Sequence, residues 1–426
     1  MFALLAVLHV ALGWHVYTAW AAAPGEEKAD AGYTNMALFA RALQLIRQDY
    51  VDERKADYQQ LTRAALKGML SSLDPHSQFM EPVDFKGMQE DTNSRFGGLG
   101  IHTVWRDGDL VIVTPIEGSP AARAGLQAED QIVKIDGVGT EKMERGEAGR
   151  LLRGEPGQKV KLTVLRPSTR DLKDYELVRE NITVASVKDA GLLGEGLAGD
   201  FKIGYARITQ FNVPTVDELS ACLDELERKE MQAFILDLRY NPGGLLESAV
   251  KVAGQFLPPK TLVVSTEGRV ASQSKVYRTP ENGRARPRVP MVILVNGGSA
   301  SGSEIVAGAL KDLRRAVILG ETTFGKGSVQ SVIELQDGSA LRLTTAKYYT
   351  PSKQVIHEKG VAPNIRAPLS QEQERLLWMK KEEAGLGAED RKQLAGFRDT
   401  QLERAVDVLK GLLIYGERTG RKAWLE

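Results

Sequence analysis

The sequence predicts a multidomain α+β chain: a helical N-terminal unit, a compact β-rich module, an α/β layered core and a helical C-terminal segment. Three observations carry this reading. The chain has 426 residues, enough for two to four domains at roughly 100–200 residues each. Its hydrophobic period changes along its length, from helical spacing to short β runs to alternating strand and helix. Glycine-rich segments stand at the carboxyl ends of buried strands, where the chain turns into its next element. With 42% hydrophobic and 26% charged residues, the composition is that of a packed globular protein.

Charge and cysteine content remove whole function classes. Lys plus Arg and Asp plus Glu are 56 each, for a net charge of +0, whereas a nucleic-acid binder usually carries a basic excess. The single cysteine, Cys222, excludes an intramolecular disulfide framework and a multi-cysteine zinc site. The five histidines form no close ligand pair in the main body, so no metal and no cofactor is expected.

From Met1 to Gly25 no residue is charged, and Phe2 to Ala23 is mostly apolar. The small residues of Ala19-Trp20-Ala21-Ala22-Ala23-Pro24 suit a signal peptidase. The run of about 20 residues is also long enough to span a bilayer uncleaved. No Lys or Arg precedes it, which argues the other way. Residues 1–23 are read as a signal peptide or membrane anchor, placing the protein in the periplasm or on the outer face of the cytoplasmic membrane.

The elements come in this order. Residues 24–33 read as a polar linker, and 34–85 as a helical unit. Phe39, Leu43, Ile46 and Tyr50 give the first helix its stripe, with Asn35 as a cap. Leu66, Leu70 and Leu73 give the second, stopped by Asp74-Pro75. Over 96–168 short β runs at 110–113, 131–135 and 160–164 are punctuated by Asp107-Gly108 and Asp136-Gly137. Over 169–366 strands alternate with helices. Thr215 and Glu218 form a capping box before the stripe Val216, Leu219, Leu223 and Leu226. Strands at 234–238, 262–265, 292–295 and 317–319 are assigned to the α/β layer. A hairpin turns at Asp337-Gly338, and the segment 367–426 is helical, with Leu402, Val406, Leu409 and Leu413 on one face.

Two segments carry candidate chemistry. Asn296-Gly297-Gly298-Ser299-Ala300-Ser301-Gly302-Ser303-Glu304 comes after a buried strand and enters a helix, the place where α/β layers bind ligands. Ser301 with Glu304 also fits a capping box, so cap and nucleophile compete for one hydroxyl. Gly320-Glu321-Thr322-Thr323-Phe324-Gly325-Lys326-Gly327-Ser328 resembles a P-loop but has Gly327 where magnesium binding needs Ser or Thr, and β-branched residues come next. A neutral Lys326 could serve as base to Ser301; His357 is the alternative base. In the β-rich module, the turn Gly98-Leu99-Gly100-Ile101 can present backbone N–H groups to a peptide carboxylate.

Further motifs carry a resemblance. Ser119-Pro120-Ala121-Ala122 and then Asp130-Gln131-Ile132-Val133-Lys134-Ile135-Asp136-Gly137 form a segment similar to a PDZ domain. Leu73-Asp74-Pro75-His76-Ser77, Gly204-Tyr205-Ala206-Arg207-Ile208, Asp237-Leu238-Arg239-Tyr240-Asn241-Pro242-Gly243-Gly244, the serine run and Phe324-Gly325-Lys326-Gly327-Ser328-Val329-Gln330 come in the order of the carboxyl-terminal processing, or tail-specific, serine proteases. The sequence resembles that family from about residue 35 to Ile365.

The resemblance implies a crotonase- or Clp-like layered core and a serine endopeptidase that engages protein C-termini through its PDZ domain. It implies Ser301 as nucleophile, Lys326 as base and Gln330 as the residue that orients the lysine. It implies oxyanion donors in the backbone N–H groups of Gly302 and Gly243, with Gly302 standing where the family usually has Ala. The implied partners are proteins or peptides with apolar C-termini; an adaptor, an activating protein or a second copy of the chain stays open. A non-catalytic PDZ adaptor is the alternative, opposed by the intact Ser301, Lys326 and Gln330.

Overall fold

The computed structural model describes residues 26–143, 145–283, 286, 288–381 and 392–420; the predicted export segment 1–23 lies outside them. The chain divides into two compact units between Phe79 and Met80.

The first unit holds two helices, Glu26–Asp49 and Tyr58–Ser71. The expected linker is helical from Glu26, and Asn35 lies inside the helix instead of capping it. Glu, Lys and Ala are good helix formers, and polarity alone does not break a helix. Asp57 caps the second helix by accepting the Gln59 and Gln60 N–H groups at 2.9 and 3.1 Å. Beyond that helix, Asp74 turns the chain by accepting from the His76 and Ser77 N–H groups at 2.7 and 2.9 Å.

The second unit begins with the β-rich module. Its main sheet runs Ile101–Arg106, Asp109–Pro115, Gln131–Ile135, Lys159–Arg166, Asp171–Val178, all antiparallel. Helix Arg145–Leu152 packs against it around Ile112, Ile132, Ile135 and Leu162. A two-stranded ribbon joins Arg95–Gly98 to Glu180–Thr183. The sheet therefore continues past residue 168, through a strand whose charged residues hid its period.

The core has a six-stranded sheet in the order Val187–Leu192, Ile203–Ile208, Ala233–Asp237, Met291–Val295, Val317–Gly320, Ile365–Arg366. It is parallel except for its first strand. Ala233–Asp237 and Met291–Val295 are buried throughout, as continuous apolar strands covered on both faces should be. Helices Thr215–Arg228, Leu246–Gly254 and Gly302–Asp312 share one apolar cluster with this sheet. Helix Thr400–Thr419 covers the other face with Val406, Leu409 and Leu413.

Two expectations change. Leu262–Gly268 belongs to a second, antiparallel sheet with Lys275–Arg278, Ala340–Tyr349 and Ser328–Glu334; an apolar run does not say which sheet it joins. Thr215 and Glu218 form no capping box, because Pro214 is the N-cap. Glu218 instead accepts from the Ser186 N–H and hydroxyl and the Val187 N–H at 2.7–2.9 Å.

Candidate active site

Strand Met291–Val295 ends at Asn296, whose Oδ1 accepts the N–H groups of Tyr240 and Gly298 at 2.9 and 3.1 Å. This folds the serine run against the Asn-Pro-Gly-Gly turn. The three serines then have different roles. Ser299 Oγ donates to the Leu238 carbonyl at 2.8 Å, and Ser303 Oγ to the Asn241 carbonyl at 2.9 Å; both side chains are fully buried. Ser301 differs from both: its hydroxyl bonds no backbone carbonyl among the described residues and meets the Tyr348 phenol instead. Its backbone has φ 52° and ψ −108°, a region that costs a residue with a Cβ on the order of 1–3 kcal/mol. The Tyr348 phenol, pushed up to about 12 by burial, stays protonated beside it.

Ser301 and Glu304 form the predicted capping box at the start of the helix, and the glutamate holds more than the cap. Glu304 is fully buried. Its Oε2 accepts the N–H groups of Ser301 and Lys326 at 2.8 and 2.9 Å. Its Oε1 accepts the Thr323 hydroxyl at 2.6 Å and the Gly325 N–H at 2.7 Å. Burial raises its pKa, and these donors oppose the rise. One carboxylate thus fastens the serine segment to the lysine segment. Sequence pattern shows only its local pairing with Ser301, because its other partners are about twenty positions away.

Lys326 precedes strand Ser328–Glu334 in a loop that only glycine fits. A Cβ on Gly327 would lie 2.1 Å from the His357 nitrogen, and one on Gly325 3.2 Å from backbone atoms of residues 358–360. Burial lowers the Lys326 pKa, Arg342 lowers it further, and Glu304 opposes both. Its ammonium makes no hydrogen bond or ion pair among the described residues, and that includes Ser301. Gln330 does not reach it either: Nε2 donates to Ser328 Oγ at 2.9 Å and Thr344 Oγ1 at 3.4 Å. That leaves Oε1, the atom able to accept from an ammonium, without a described donor.

Gly302 opens the helix, so its N–H has no intrahelical acceptor. Gly243 packs onto the serine: a Cβ there would lie 2.7 Å from Ser301 Cβ and 2.8 Å from the Gly302 nitrogen. Its N–H, expected to face an oxyanion, donates instead to Asn241 Oδ1 at 2.9 Å. Among the described residues His357 Nδ1 is buried without a partner, and its ring makes no hydrogen bond to Ser301. Burial pushes the Cys222 thiol up to about 11, which disarms it as a nucleophile at neutral pH.

In the β-rich module, Gly98 ends the ribbon strand, Leu99 and Gly100 form the turn, and Ile101 opens the sheet. The carbonyls of Leu99 and Gly100 accept from Ala121 and Ile116 at 3.1 and 2.8 Å, while their N–H groups donate to nothing among the described residues. They face a groove of about 450 Å³ lined by Phe96, Ile101, Thr103, Leu152 and Arg153 on the module and by Thr209, Gln210 and Asn212 on the core. Among the described residues no cluster of three or more His, Cys, Asp or Glu could hold a metal.

A second buried network was invisible beyond its motif. Asp237 accepts from Tyr205 OH at 2.8 Å, Arg239 Nη2 at 2.7 Å and Lys381 Nζ at 2.8 Å. Burial alone would raise its carboxyl, but Arg239 and Lys381 hold it far below the usual range. Arg239 continues to Asp399 at 2.7 Å and Gln401 at 3.0 Å, tying the C-terminal helix to the strand beside the serine strand.

The family model for Peptidase family S41 matches residues 202–367, and that for a PDZ domain matches residues 111–166. The carboxy-terminal-processing protease of Bartonella bacilliformis is 42% identical over 338 residues, 78% of this chain and 75% of that protein. Carboxy-terminal processing protease CtpA of Bacillus subtilis is 37% identical over 346 residues, 81% of this chain and 72% of that protein. The crystal structure of a putative S41 protease from Bacteroides fragilis shares the fold, with a TM-score of 0.53 at 18% identity over 87% of this chain and 96% of that one. This chain therefore belongs to the carboxy-terminal processing proteases of peptidase family S41, serine-type peptidases with a PDZ domain.

Proposed function

We propose that Ser301 is the nucleophile, Lys326 the general base and Gln330 the lysine-orienting residue of this serine endopeptidase. The observation that carries the proposal is the division of labour among the serines: Ser299 and Ser303 spend their hydroxyls on backbone carbonyls, whereas the Ser301 hydroxyl bonds no backbone carbonyl among the described residues and meets only side-chain or helix-end groups. The Glu304 carboxylate that grips both Ser301 and Lys326 supports the pairing.

In this reading, neutral Lys326 Nζ takes the proton as Ser301 Oγ adds to the scissile carbonyl. The oxyanion is held by the Gly302 N–H and, once it leaves Asn241, by that of Gly243. The lysine returns the proton to the departing amine, and water releases the acyl-enzyme by the reverse sequence. For this, Lys326 must close on Ser301, and Gln330 Oε1 is the acceptor available to steer it.

The substrates are proteins or peptides engaged by their C-termini, with an apolar last residue in the groove beside Gly98, Leu99, Gly100 and Ile101. The free N–H groups of Leu99 and Gly100 support carboxylate binding there. The apolar run 1–23 supports export to the periplasm or to the outer face of the cytoplasmic membrane. Exposed Met36 and Leu38 on helix Glu26–Asp49 support contact with a protein partner, either an adaptor or a second copy.

The decisive test is cleavage of an apolar-tailed protein by single serine variants. Ser301→Ala should be inactive and folded, with Ser303→Ala retaining turnover. The reverse pattern would refute the assignment. If no variant and no wild-type preparation cleaves while tails still bind, the non-catalytic adaptor is correct.

A further inference from the structure

We infer that the substrate tail is read on both of its faces, and that acidic side chains are preferred at the second and fourth residues from its carboxyl terminus. The inference rests on the tail reading proposed above. Ile101–Arg106 is the end strand of its sheet, paired among the described residues on one side only, to Asp109–Pro115. An extended peptide added to its open side alternates its side chains between the two faces. On one face Ile101 and Trp105 pack toward the module's core, and the groove there is lined by Leu99, Ile101, Thr103 and Leu152. With the terminal carboxylate on the N–H groups of Leu99 and Gly100, the last and third-last side chains enter that groove. The second-last and fourth-last must then point to the opposite face, alongside His102, Val104 and Arg106.

That face looks onto the body of the enzyme. His102, Val104 and Arg106 line a second groove, of about 1030 Å³, whose other walls include strands Val187–Leu192 and Ile203–Ile208 and helix Gln371–Lys381. Seven of its lining residues are basic and two, Asp189 and Asp399, are acidic. Some of the positive charge is already matched: Arg207 pairs with Asp189 at 2.7 Å, and Arg239 and Lys381 pair with buried Asp237. Lys188 and Lys380 are different. Neither has a carboxylate partner among the described residues, and Lys380 only overlies the Phe397 ring at 5.9 Å. A PDZ domain standing alone would leave these two tail positions in water. Here the core and the helix Gln371–Lys381 add a cationic wall, and unmatched lysines on it attract a carboxylate and repel another lysine.

The test is fluorescence anisotropy on the full-length Ser301→Ala chain with labelled decapeptides ending Ala-Ala-Ala-Leu. Four versions are compared: the free acid, its amide, the acid with Asp at the second- and fourth-last positions, and the acid with Lys there. Asp should tighten binding by about three- to tenfold over Ala, the range of one or two partly exposed ion pairs, and Lys should weaken it comparably. In a Lys188→Glu/Lys380→Glu double variant the order should invert. Equal binding of acid and amide would overturn the tail reading and this inference with it. Acid tighter than amide, with the Asp, Ala and Lys peptides equal, would overturn this inference alone. So would an Asp preference that survives the charge reversal.

Discussion

Ser301 and Lys326 donate their backbone N–H groups to the same atom, Oε2 of Glu304, at 2.8 and 2.9 Å. The two residues are separated by a helix and a strand in sequence, and their side chains are not hydrogen-bonded. Their backbones are nevertheless fixed against each other by a buried carboxylate whose second oxygen holds Thr323 and Gly325. The frame of the proposed site is therefore set before substrate arrives; what remains is for the Lys326 side chain to close on Ser301 and for the Gly243 N–H to be released from Asn241.

Glu304→Gln should disable that frame. An amide keeps one acceptor oxygen and turns its NH2 toward N–H groups that need an acceptor. Leaving buried donors unsatisfied costs about 1–3 kcal/mol each. We expect kcat to fall by about 30- to 1,000-fold, the equivalent of about 2–4 kcal/mol, with a smaller change in KM and a lower melting temperature. Steady-state kinetics together with a thermal melt reads all three. Turnover above half of wild type would show that the carboxylate is dispensable.

If Lys326 is the base, as proposed, it sets the pH dependence of the rate. Burial and Arg342 lower its pKa from 10.5, so its neutral, base-competent fraction rises with pH along a limb centred below that value. Lys326→Arg should be inactive, because guanidinium stays charged. The same shift has a sign for stability. The folded chain holds this proton less tightly than the unfolded chain, so the penalty is complete below the folded pKa and disappears as pH rises toward 10.5. Lys326→Met should therefore be inactive yet melt no lower than wild type at neutral pH, with any gain shrinking in alkali. A rate limb that persists in Lys326→Met and vanishes in His357→Ala would make histidine the base instead.

Gly244→Ala should be among the most damaging single-methyl changes. A Cβ there would lie 2.1 Å from the Phe211 carbonyl oxygen, at φ 142°, and Phe211 donates its N–H to the Gly243 carbonyl at 2.8 Å. The turn under Ser301 would have to shift. Activity should be lost and the melting temperature lowered, whereas Gly297→Ala, with nothing within 4 Å of the added carbon, should keep both.

The layers were legible because their strands are continuous apolar runs and their helices carry clear stripes. The serine and lysine segments were legible because glycine-rich turns mark strand ends. What stayed hidden depends on partners far away in sequence. Glu304 read as a cap because only its Ser301 bond is local. Leu262–Gly268 read as a layer strand because apolar pattern does not encode sheet membership. Gln330 and the Gly243 N–H take partners, Ser328 and Asn241, that only the folded geometry selects. Asp171–Val178 was missed because Asp171, Lys173, Asp174 and Glu176 dilute its period, although its pairing partner was seen.

That missed strand decides how the PDZ module can be isolated. Asp171–Val178 pairs with Lys159–Arg166 along its whole length, and it contributes Leu177 to the module's core. Arg179, just beyond it, is buried and donates to the Lys159 and Leu151 carbonyls at 3.0 and 2.6 Å. Glu180–Thr183 then pairs with Arg95–Gly98, the strand that leads into the turn proposed to bind the tail carboxylate. A fragment ending at 168 lacks all of this and exposes a sheet edge along Lys159–Arg166. Losing Leu177 alone forfeits about 1.5–3 kcal/mol of burial, a large share of a small domain's stability. A 94–184 fragment should give a cooperative melt and bind a free-acid apolar tail at least about tenfold tighter than its amide, since charge-assisted bonds from two N–H groups exceed 1.4 kcal/mol. A 96–168 fragment should melt without cooperativity and bind neither. If the shorter fragment folds and discriminates acid from amide as well as the longer one, the ribbon and final strand are accessory to the tail site, and Leu99 and Gly100 hold their geometry without them.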